Sequence, residues 1–375
     1  MKKWISILFA ALMLFSVMTA CAEKPKEAEE PAAETAQPTD APEEHFAVAV
    51  DAPTDAPTAV PLTPEPTEES TEAPTSVPTA EAVVPEATRA PKDGDIATVN
   101  FPNYDTGKDA DYSYQSDELR IAIKIHADTE AHQTYYVADI WMRSLDSFRT
   151  GFAHGKFNSG REEGDDFAKR ENAILAVNGN FNQGLTLHAG ELVKKAQEAK
   201  KWNSSGIGIL YKDGTFKSFN LKRDKFNINT ELKNGAWHGW QFGPALIQNG
   251  EIAQDLNRSP IASRNMIGYY EPGHYVIVTC DEARDDAIGI SEIDMGNYMK
   301  ALGVKEAFNL DGGTSAVMVF MGQIINNPTP RIDKDGKTVA GRPLVDMLLF
   351  AEYDADGKAP DLSTITAVKF KDINW

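Results

Sequence analysis

Residues 308–320 read F-N-L-D-G-G-T-S-A-V-M-V-F, a polar cluster between two apolar runs. The apolar runs favour strands, so the cluster is expected to form a loop that joins one strand to the next. Gly312 and Gly313 permit positive φ angles and a close approach of other groups to the backbone. Asp311 supplies a carboxylate, and two hydroxyl side chains follow the glycines. An ordinary turn needs about one glycine and one polar residue, so this stretch is a candidate functional site.

The same alternation of strand and turn extends through residues 93–375. Runs rich in β-branched and aromatic residues are separated by short polar or glycine-bearing turns, a pattern typical of meandering sheet. We therefore predict one α+β domain over residues 93–375, a strand-rich mixed sheet with a few helices. The predicted strands are Leu119–His126, Tyr135–Met142, Ala173–Val177, Ile207–Tyr211, Ala245–Gln248, Met266–Tyr270, Tyr275–Thr279, Ala316–Met321 and Leu344–Phe350.

Two helices are indicated, and a third segment is ambiguous. Ser291 and Asp294 form a capping-box pattern, apolar residues then recur at helical spacing, and Gly303 supplies a stop. A shorter helix is predicted over Asp165–Glu171. The charges of Lys194–Lys201 fit a third helix and a solvated loop equally well.

The N-terminus has the features of a secretory signal. Lys2 and Lys3 precede an apolar run, and small residues lead to Cys21, so residues 1–20 are predicted to be a signal peptide. The alternative is a retained membrane anchor. Because the Thr-Ala-Cys sequence resembles a bacterial lipobox, we predict that Cys21 is lipidated and anchors the protein at the outer face of the cytoplasmic membrane. Free secretion is the second choice. Cys280 is the only other cysteine, so no intramolecular disulfide is possible once Cys21 is modified.

An acidic, proline-rich segment follows over residues 21–92. Between Ala22 and Pro91 the chain has 16 acidic residues, 3 basic residues and 13 of its 21 prolines. Such a composition cannot bury enough apolar surface to offset chain entropy, so a disordered, extended linker is predicted. The whole chain has a formal net charge of −19. The sequence therefore argues against nucleic acid as a partner.

Several common catalytic patterns are absent from the sequence. It contains no G-x-S-x-G motif, no phosphate-binding P-loop and no Cys/His cluster with zinc spacing. The acidic stretch at residues 281–286 lacks the ligand order of a calcium loop. These absences argue against nucleophilic serine chemistry and zinc hydrolysis, and the sequence requires no cofactor and leaves a divalent metal unassigned.

Polar residues also stand at the ends of several other predicted strands. Asn178 and Asn180 follow one strand, Arg264 begins another, and Arg342 precedes the last one. Taken alone, an arginine at such a position is more often a solvated charge. Loops at strand ends commonly form sites, so we expect Arg264 and Arg342 to share one pocket with Asp311.

In their order along the chain, these segments resemble the phosphodiester glycosidase family, the relatives of the lysosomal uncovering enzyme. Thr314 departs from the resemblance, because the family pattern has a third glycine there, and a side chain at this position narrows the loop or changes the ligand that fits. Asn182, after Phe181, also replaces a usual aromatic residue. The matching segments are Tyr135–Asp139, Val177–Phe181, Gly243–Leu246, Arg264–Gly268, Asn309–Ser315 and Arg342.

The resemblance implies hydrolysis of a sugar-1-phosphodiester in a cell-surface or extracellular glycan. Because the phosphate leaving group is already a stable anion, the site needs an anion clamp and a carboxylate that stabilises an oxocarbenium-like sugar. Asp311 is the first candidate for nucleophile or general base, and Asp281 is the second. Arg264 and Arg342 are expected to hold the phosphate. The further residues expected to bind substrate are Asn178, Asn180, His188, Asn309, Gly312, Gly313, Thr314 and Ser315.

Two alternative interpretations remain open. A surface lipoprotein that binds a glycan or phosphopolymer without cutting it is favoured by Thr314. A purely structural lipoprotein requires the polar clusters to be far apart in space. The sequence assigns neither the sugar nor an oligomeric state.

Overall fold

The structure is a computed structural model that describes residues 94–96, 110–181, 184–198, 205–258, 260–282, 284–285, 287–366 and 368–369. The predicted signal peptide, the predicted lipidation site Cys21 and the predicted linker (residues 21–92) lie outside these residues. Within the described part, none of the helices combines the length and the apolar character needed to cross a bilayer.

Strands predominate among the described residues, and the helices are short. The helices are α1 (Gly164–Arg170), α2 (Ile228–Lys233) and α3 (Glu292–Ala301). The strands are β1 (Tyr112–Gln115), β2 (Leu119–Asp128), β3 (Gln133–Met142), β4 (Phe148–Phe152), β5 (Leu175–Asn178), β6 (Thr186–His188), β7 (Glu191–Lys194), β8 (Gly206–Tyr211), β9 (Phe216–Asn220), β10 (Ala236–Phe242), β11 (Ala245–Gln248), β12 (Glu251–Ile252), β13 (Arg264–Glu271), β14 (His274–Cys280), β15 (Glu306–Asn309), β16 (Met318–Phe320), β17 (Gln323–Ile324), β18 (Pro330–Ile332), β19 (Thr338–Ala340), β20 (Asp346–Phe350) and β21 (Val368–Lys369).

The strands form three larger sheets and one small pair. A nine-stranded sheet has the order β12-β11-β15-β13-β14-β3-β2-β1-β21. Two five-stranded sheets have the orders β7-β6-β10-β8-β9 and β17-β16-β5-β20-β4, and β18 pairs with β19. The α+β, strand-rich class predicted from the sequence is confirmed, and each predicted strand segment overlaps a strand of the structure.

Side-chain alternation explains why these segments form strands with one buried face. In β3, Tyr136, Ala138, Ile140 and Met142 are buried, whereas the residues that alternate with them, at positions 137, 139 and 141, are partly exposed. A period of two places alternate side chains on opposite faces of a sheet. The buried face packs into the largest apolar cluster, which also contains Phe308 and Leu310 at the end of β15.

The helices follow their end signals. The Ser291 hydroxyl accepts a hydrogen bond from the Asp294 amide at 3.2 Å, and the residue after the C-cap of α3, Gly303, has φ +80°. The prediction of α1 is confirmed to within one residue at each end. Of the ambiguous third segment, residue 194 ends β7 and residues 195–198 are not helical, while residues 199–201 lie outside the described residues. Helix α2 was not predicted, although Asn227 caps its first turn.

Antiparallel pairing brings four strand ends together at one place. The end of β15 lies beside the start of β13, where Asn309 pairs with Met266. The end of β5 lies beside the start of β20, where Asn178 pairs with Met347. The loop after β15 connects the two sheets, because it leads directly into β16, the other neighbour of β5. This junction contains the polar residues that the sequence singled out.

Candidate functional site

A pocket of about 390 Å³ lies at this junction. It brings together Asp311, Arg264 and Arg342, the three charged residues expected to share one pocket, with aromatic and other apolar side chains. The lining residues are Phe181, Phe242, Pro260, Ala262, Arg264, Asp311, Gly312, Gly313, Thr314 and Arg342.

Asp311 and Arg342 form an ion pair in this pocket. Arg342 Nη2 donates to Asp311 Oδ2 at 2.7 Å. The rest of Arg342 is also fixed by the loop, because its backbone amide donates to the Thr314 carbonyl at 2.8 Å and its Nε donates to the Ser315 hydroxyl. Ser315 is 1% exposed and does not line the pocket. The structure therefore places Ser315 where it positions Arg342, not where it contacts a ligand as expected.

Burial is the main influence on the pKa values of Asp311 and Arg264. Desolvation raises the pKa of Asp311, against the opposing effects of the Arg342 charge and of hydrogen bonds from Ser315, Arg342 and Gly312. Desolvation also lowers the pKa of Arg264, which is 3% exposed, but a guanidinium keeps its proton in proteins. Arg264 Nη2 donates to the Pro260 carbonyl at 3.3 Å. The pocket thus contains two cationic groups and one acid.

The two glycines of the loop are required for different physical reasons. A Cβ atom on Gly312 would lie 2.4 Å from the Ser263 carbonyl oxygen, so this position needs glycine for close approach. Gly313 has φ +60°, where a side chain is strained. Their amides are occupied, because Gly312 N donates to Asp311 Oδ1 at 3.0 Å and Gly313 N donates to Ser263 O at 2.9 Å. Neither amide is free for an anion in this arrangement, and their predicted role in binding one stays a prediction.

Thr314 stands at the position where the resembled pattern has a glycine. It is partly exposed and lines the pocket. Among the described residues its hydroxyl has no hydrogen-bond partner. The departure at this position therefore adds a free donor to the pocket.

The three asparagines expected to bind sugar hydroxyls are buried and hold strand ends together. Asn178 Nδ2 donates to the Asp311 carbonyl at 2.7 Å, and Asn178 Oδ1 accepts from Val317 N at 3.1 Å. Asn180 Nδ2 donates to Leu185 O at 3.1 Å, and Asn309 Nδ2 donates to the Gly243 carbonyl at 2.7 Å. Each asparagine is at most 1% exposed. They support the pocket without lining it, and their predicted role in binding sugar hydroxyls stays a prediction.

Two further candidates lie outside the pocket lining. The Asp281 carboxylate accepts hydrogen bonds from Asn326 Nδ2 at 2.9 Å and Asn327 N at 3.1 Å, and it pairs with Arg284. Its role as second candidate for the catalytic acid is not supported by this placement. His188 packs against the rings of Phe152 and His238, and burial lowers its pKa.

Asp346 is a buried acid at the junction that sequence reasoning missed. Its carboxylate accepts hydrogen bonds from Asn180 N and Phe181 N, each at 3.0 Å. It also fills the space beside Gly179, where a Cβ atom would lie 2.5 Å from Asp346 Oδ2. Burial, together with the negative charge of Asp311, raises the pKa of Asp346 to about 7. The signal in the sequence was an acid inside the apolar run Leu344–Phe350.

A larger cavity of about 680 Å³ lies near the other end of β15. Three lysines border it, but no predicted site residue does. Its buried acid, Glu306, accepts hydrogen bonds from the Ser218 amide, the Ser218 hydroxyl and the Asn249 amide. This acid therefore holds the surrounding backbone in place. Among the residues that the structure describes, no three His, Cys, Asp or Glu side chains form a group that could hold a metal ion.

Comparisons with known proteins bear on the same segments. Residues 169–351 match the family model described as phosphodiester glycosidase. The SPbeta prophage-derived uncharacterized protein YomE of Bacillus subtilis (strain 168) is 28% identical in an alignment of 203 positions that covers 50% of this chain. The chain spans only 29% of the length of that relative.

Two solved structures are also similar. The zebrafish N-acetylglucosamine-1-phosphodiester alpha-N-acetylglucosaminidase catalytic domain, autoinhibited by its pro-peptide, is 21% identical over 65% of this chain and 86% of its own, with a TM-score of 0.49. A hypothetical protein from Synechocystis is 13% identical over 62% of each chain, with a TM-score of 0.45. The match to the family model assigns residues 169–351 of this chain to the phosphodiester glycosidase family.

Proposed function

We propose that this chain hydrolyses sugar-1-phosphodiester bonds in cell-surface or extracellular glycans. The observation that carries the proposal is the ion pair of Asp311 and Arg342 in a pocket shared with Arg264, all within the residues that match the phosphodiester glycosidase family. One carboxylate beside two guanidinium groups suits a substrate that joins an anion to a carbon atom on which positive charge develops.

The two arginines supply the contacts for the phosphate. A guanidinium binds phosphate oxygens through paired, charge-assisted hydrogen bonds. Because the amides of Gly312 and Gly313 are occupied, the hydroxyl of Thr314 provides the additional donor. Phosphate binding therefore depends on side chains in this protein.

Asp311 acts on the sugar side of the scissile bond. A phosphodiester leaves as a stable anion, so departure needs little protonation by a general acid. The main requirement is a negative charge near the anomeric carbon, as nucleophile, as base for water or as stabiliser of the oxocarbenium-like transition state. Phe181 and Phe242 line the same pocket and offer apolar surface to a sugar ring.

A second candidate function is binding of a phosphorylated glycan without cleavage. One observation favours it: among the described residues, Asp311 is the only carboxylate that lines the pocket, and it already pairs with Arg342. A site that only holds an anion needs no further acid.

The test is an activity screen of the purified full chain on a panel of sugar-1-phosphodiesters. Release of free reducing sugar together with a phosphomonoester supports hydrolysis between the sugar and the phosphate, and oxygen from isotopically labelled water in the sugar rather than in the phosphate assigns the cleavage to the anomeric carbon. Binding measured by calorimetry without release of sugar selects the second candidate. The absence of both binding and release rejects both candidate functions. Repeating the screen with a chelator shows whether a divalent metal assists.

We also propose that the domain is displayed at the cell surface through a lipid on Cys21. The support is the signal-like N-terminus and the lipobox-like sequence before this cysteine. Metabolic labelling with a radioactive fatty acid tests this, with Cys21→Ala as the control. Absence of label on the wild-type chain rejects the lipid anchor.

A further inference from the structure

Phe181 has two guanidinium groups over its ring. The guanidinium carbon of Arg342 lies 4.5 Å from the ring centroid, and that of Arg161 lies 4.6 Å from it. Because both carbons lie close to the same ring, they are at most about 9 Å from each other, as expected for two cations that each contact one aromatic side chain. Arg161 thus extends the positive charge of the pocket beyond its lining residues.

Arg161 is exposed and has no acidic partner among the described residues. Its Nη1 donates to the Pro343 carbonyl at 3.3 Å. The acids that follow it in sequence are occupied elsewhere: Glu162 pairs with Arg170 at 2.8 Å, and Glu163 pairs with Arg331 at 3.2 Å. The charge of Arg161 is therefore available to a ligand.

The ring that holds Arg161 is itself fixed. Phe181 has φ +61°, a strained conformation for a bulky residue, and its amide donates to the buried carboxylate of Asp346. A guanidinium stacked on an aromatic face keeps its N–H groups free at its edge. This arrangement orders Arg161 before a ligand arrives, which lowers the entropic cost of binding.

We propose that Arg161, stacked on Phe181, forms a second anion subsite beside the one made by Arg342. The pocket then takes substrates with a second negative group next to the scissile phosphodiester, as in a sugar-1-diphosphate ester or a phosphodiester-linked polymer. This rests on the proposed function for the identity of the first group. The pocket and this extension contain three guanidinium groups against the single acid Asp311, although the whole chain has a net charge of −19.

The experiment compares two probes by calorimetry on the full chain at low salt. One is the methyl ester of a sugar-1-phosphate, with one negative charge, and the other is the corresponding sugar-1-diphosphate methyl ester, with two. The wild-type chain is expected to bind the second probe about tenfold more tightly, as one added hydrogen bond to a charged group provides. Arg161→Gln is expected to reduce this ratio to about one, because it removes the second cation.

Arg223→Gln is the matched control. Arg223 is also exposed, but it pairs with Asp255 and lies outside the pocket, so its substitution changes net charge equally and should preserve the ratio. A ratio near one in the wild-type chain, or an unchanged ratio in Arg161→Gln, overturns the proposal. Inorganic pyrophosphate against inorganic phosphate gives the same comparison without a sugar, so the subsite is tested even if no sugar phosphodiester is cut.

Discussion

The carboxylate of Asp311 and the guanidinium of Arg342 lie 2.7 Å apart, although 31 positions separate them in the sequence. Asp311 follows β15 of the nine-stranded sheet, and Arg342 precedes β20 of a five-stranded sheet. The pair therefore joins two sheets at the pocket. Removing the charge of either residue leaves the other without its partner in a largely buried site.

Asp311→Asn should lower turnover by at least about 100-fold on any substrate that the wild-type chain cleaves. Asparagine keeps the size of the side chain but removes the negative charge that stabilises the transition state. Steady-state rates measure the effect, with circular dichroism as the check on folding. Asp139→Asn is the control, because Asp139 pairs with His274 outside the pocket. Unchanged turnover in folded Asp311→Asn removes this residue from the chemistry.

Gly312→Ala should weaken binding of a phosphorylated sugar and destabilise the fold by about 1–3 kcal/mol, since the new methyl group collides with the Ser263 carbonyl. Calorimetry and urea denaturation measure the two effects. Gly336→Ala is the control for alanine at a loop glycine outside the pocket: it has φ +77° and no atom within 4 Å of its Cβ position, so it should affect stability alone. If Gly312→Ala binds the phosphorylated sugar with wild-type affinity, the loop accommodates the new methyl group without changing the pocket.

Asn178→Ala should reduce the free energy of unfolding by about 3 kcal/mol or more. It leaves the Asp311 carbonyl and the Val317 amide without these partners in a buried site, at about 1–3 kcal/mol for each group. Chemical denaturation measures the loss. Asn229→Ala, at an exposed position in α2, should stay within about 0.5 kcal/mol. A changed KM at unchanged stability would instead support the sugar-binding role expected from the sequence.

Asp346 should make stability depend on pH. Its pKa is raised to about 7 in the folded chain, so the folded state holds this proton more tightly than the unfolded state. Its contribution to stability is therefore full below about pH 4 and is lost as the pH rises through 7, on the order of 4 kcal/mol in total. Urea denaturation between pH 4.5 and 8 should show a larger fall in the free energy of unfolding for the wild-type chain than for Asp346→Asn, which keeps the other buried acids with raised pKa values, such as Asp311.

The control for this pH series is Asp361→Asn. Hydrogen bonds from Ser363 lower the pKa of Asp361, so its contribution to stability is lost only as the pH falls below the range measured. The free energy of unfolding of Asp361→Asn should therefore change with pH in parallel with that of the wild-type chain. A parallel curve for Asp346→Asn would mean that Asp346 does not titrate between these pH values.

The sequence by itself determined the strand-rich class, the main strands and the capped helix α3. These depend on neighbours a few residues away: the alternation of β3, or the reach of Ser291 to the Asp294 amide. It also placed Asp311, Arg264 and Arg342 at strand ends, where loops meet. Helix α2 and strands such as β10, which is buried along nearly all of its length, lack a clear period and were missed.

Only the tertiary structure decided which polar groups face the pocket. Asp281 and Asp311 both follow apolar strands, but the carboxylate of Asp281 is bonded to Asn326, 45 positions later. In the same way, the loop glycine amides bond to nearby oxygens, Asp346 takes two amides of another segment, and Arg161 stacks on Phe181. Burial and hydrogen-bond partners arise when residues distant in sequence pack together, and no local pattern contains that information.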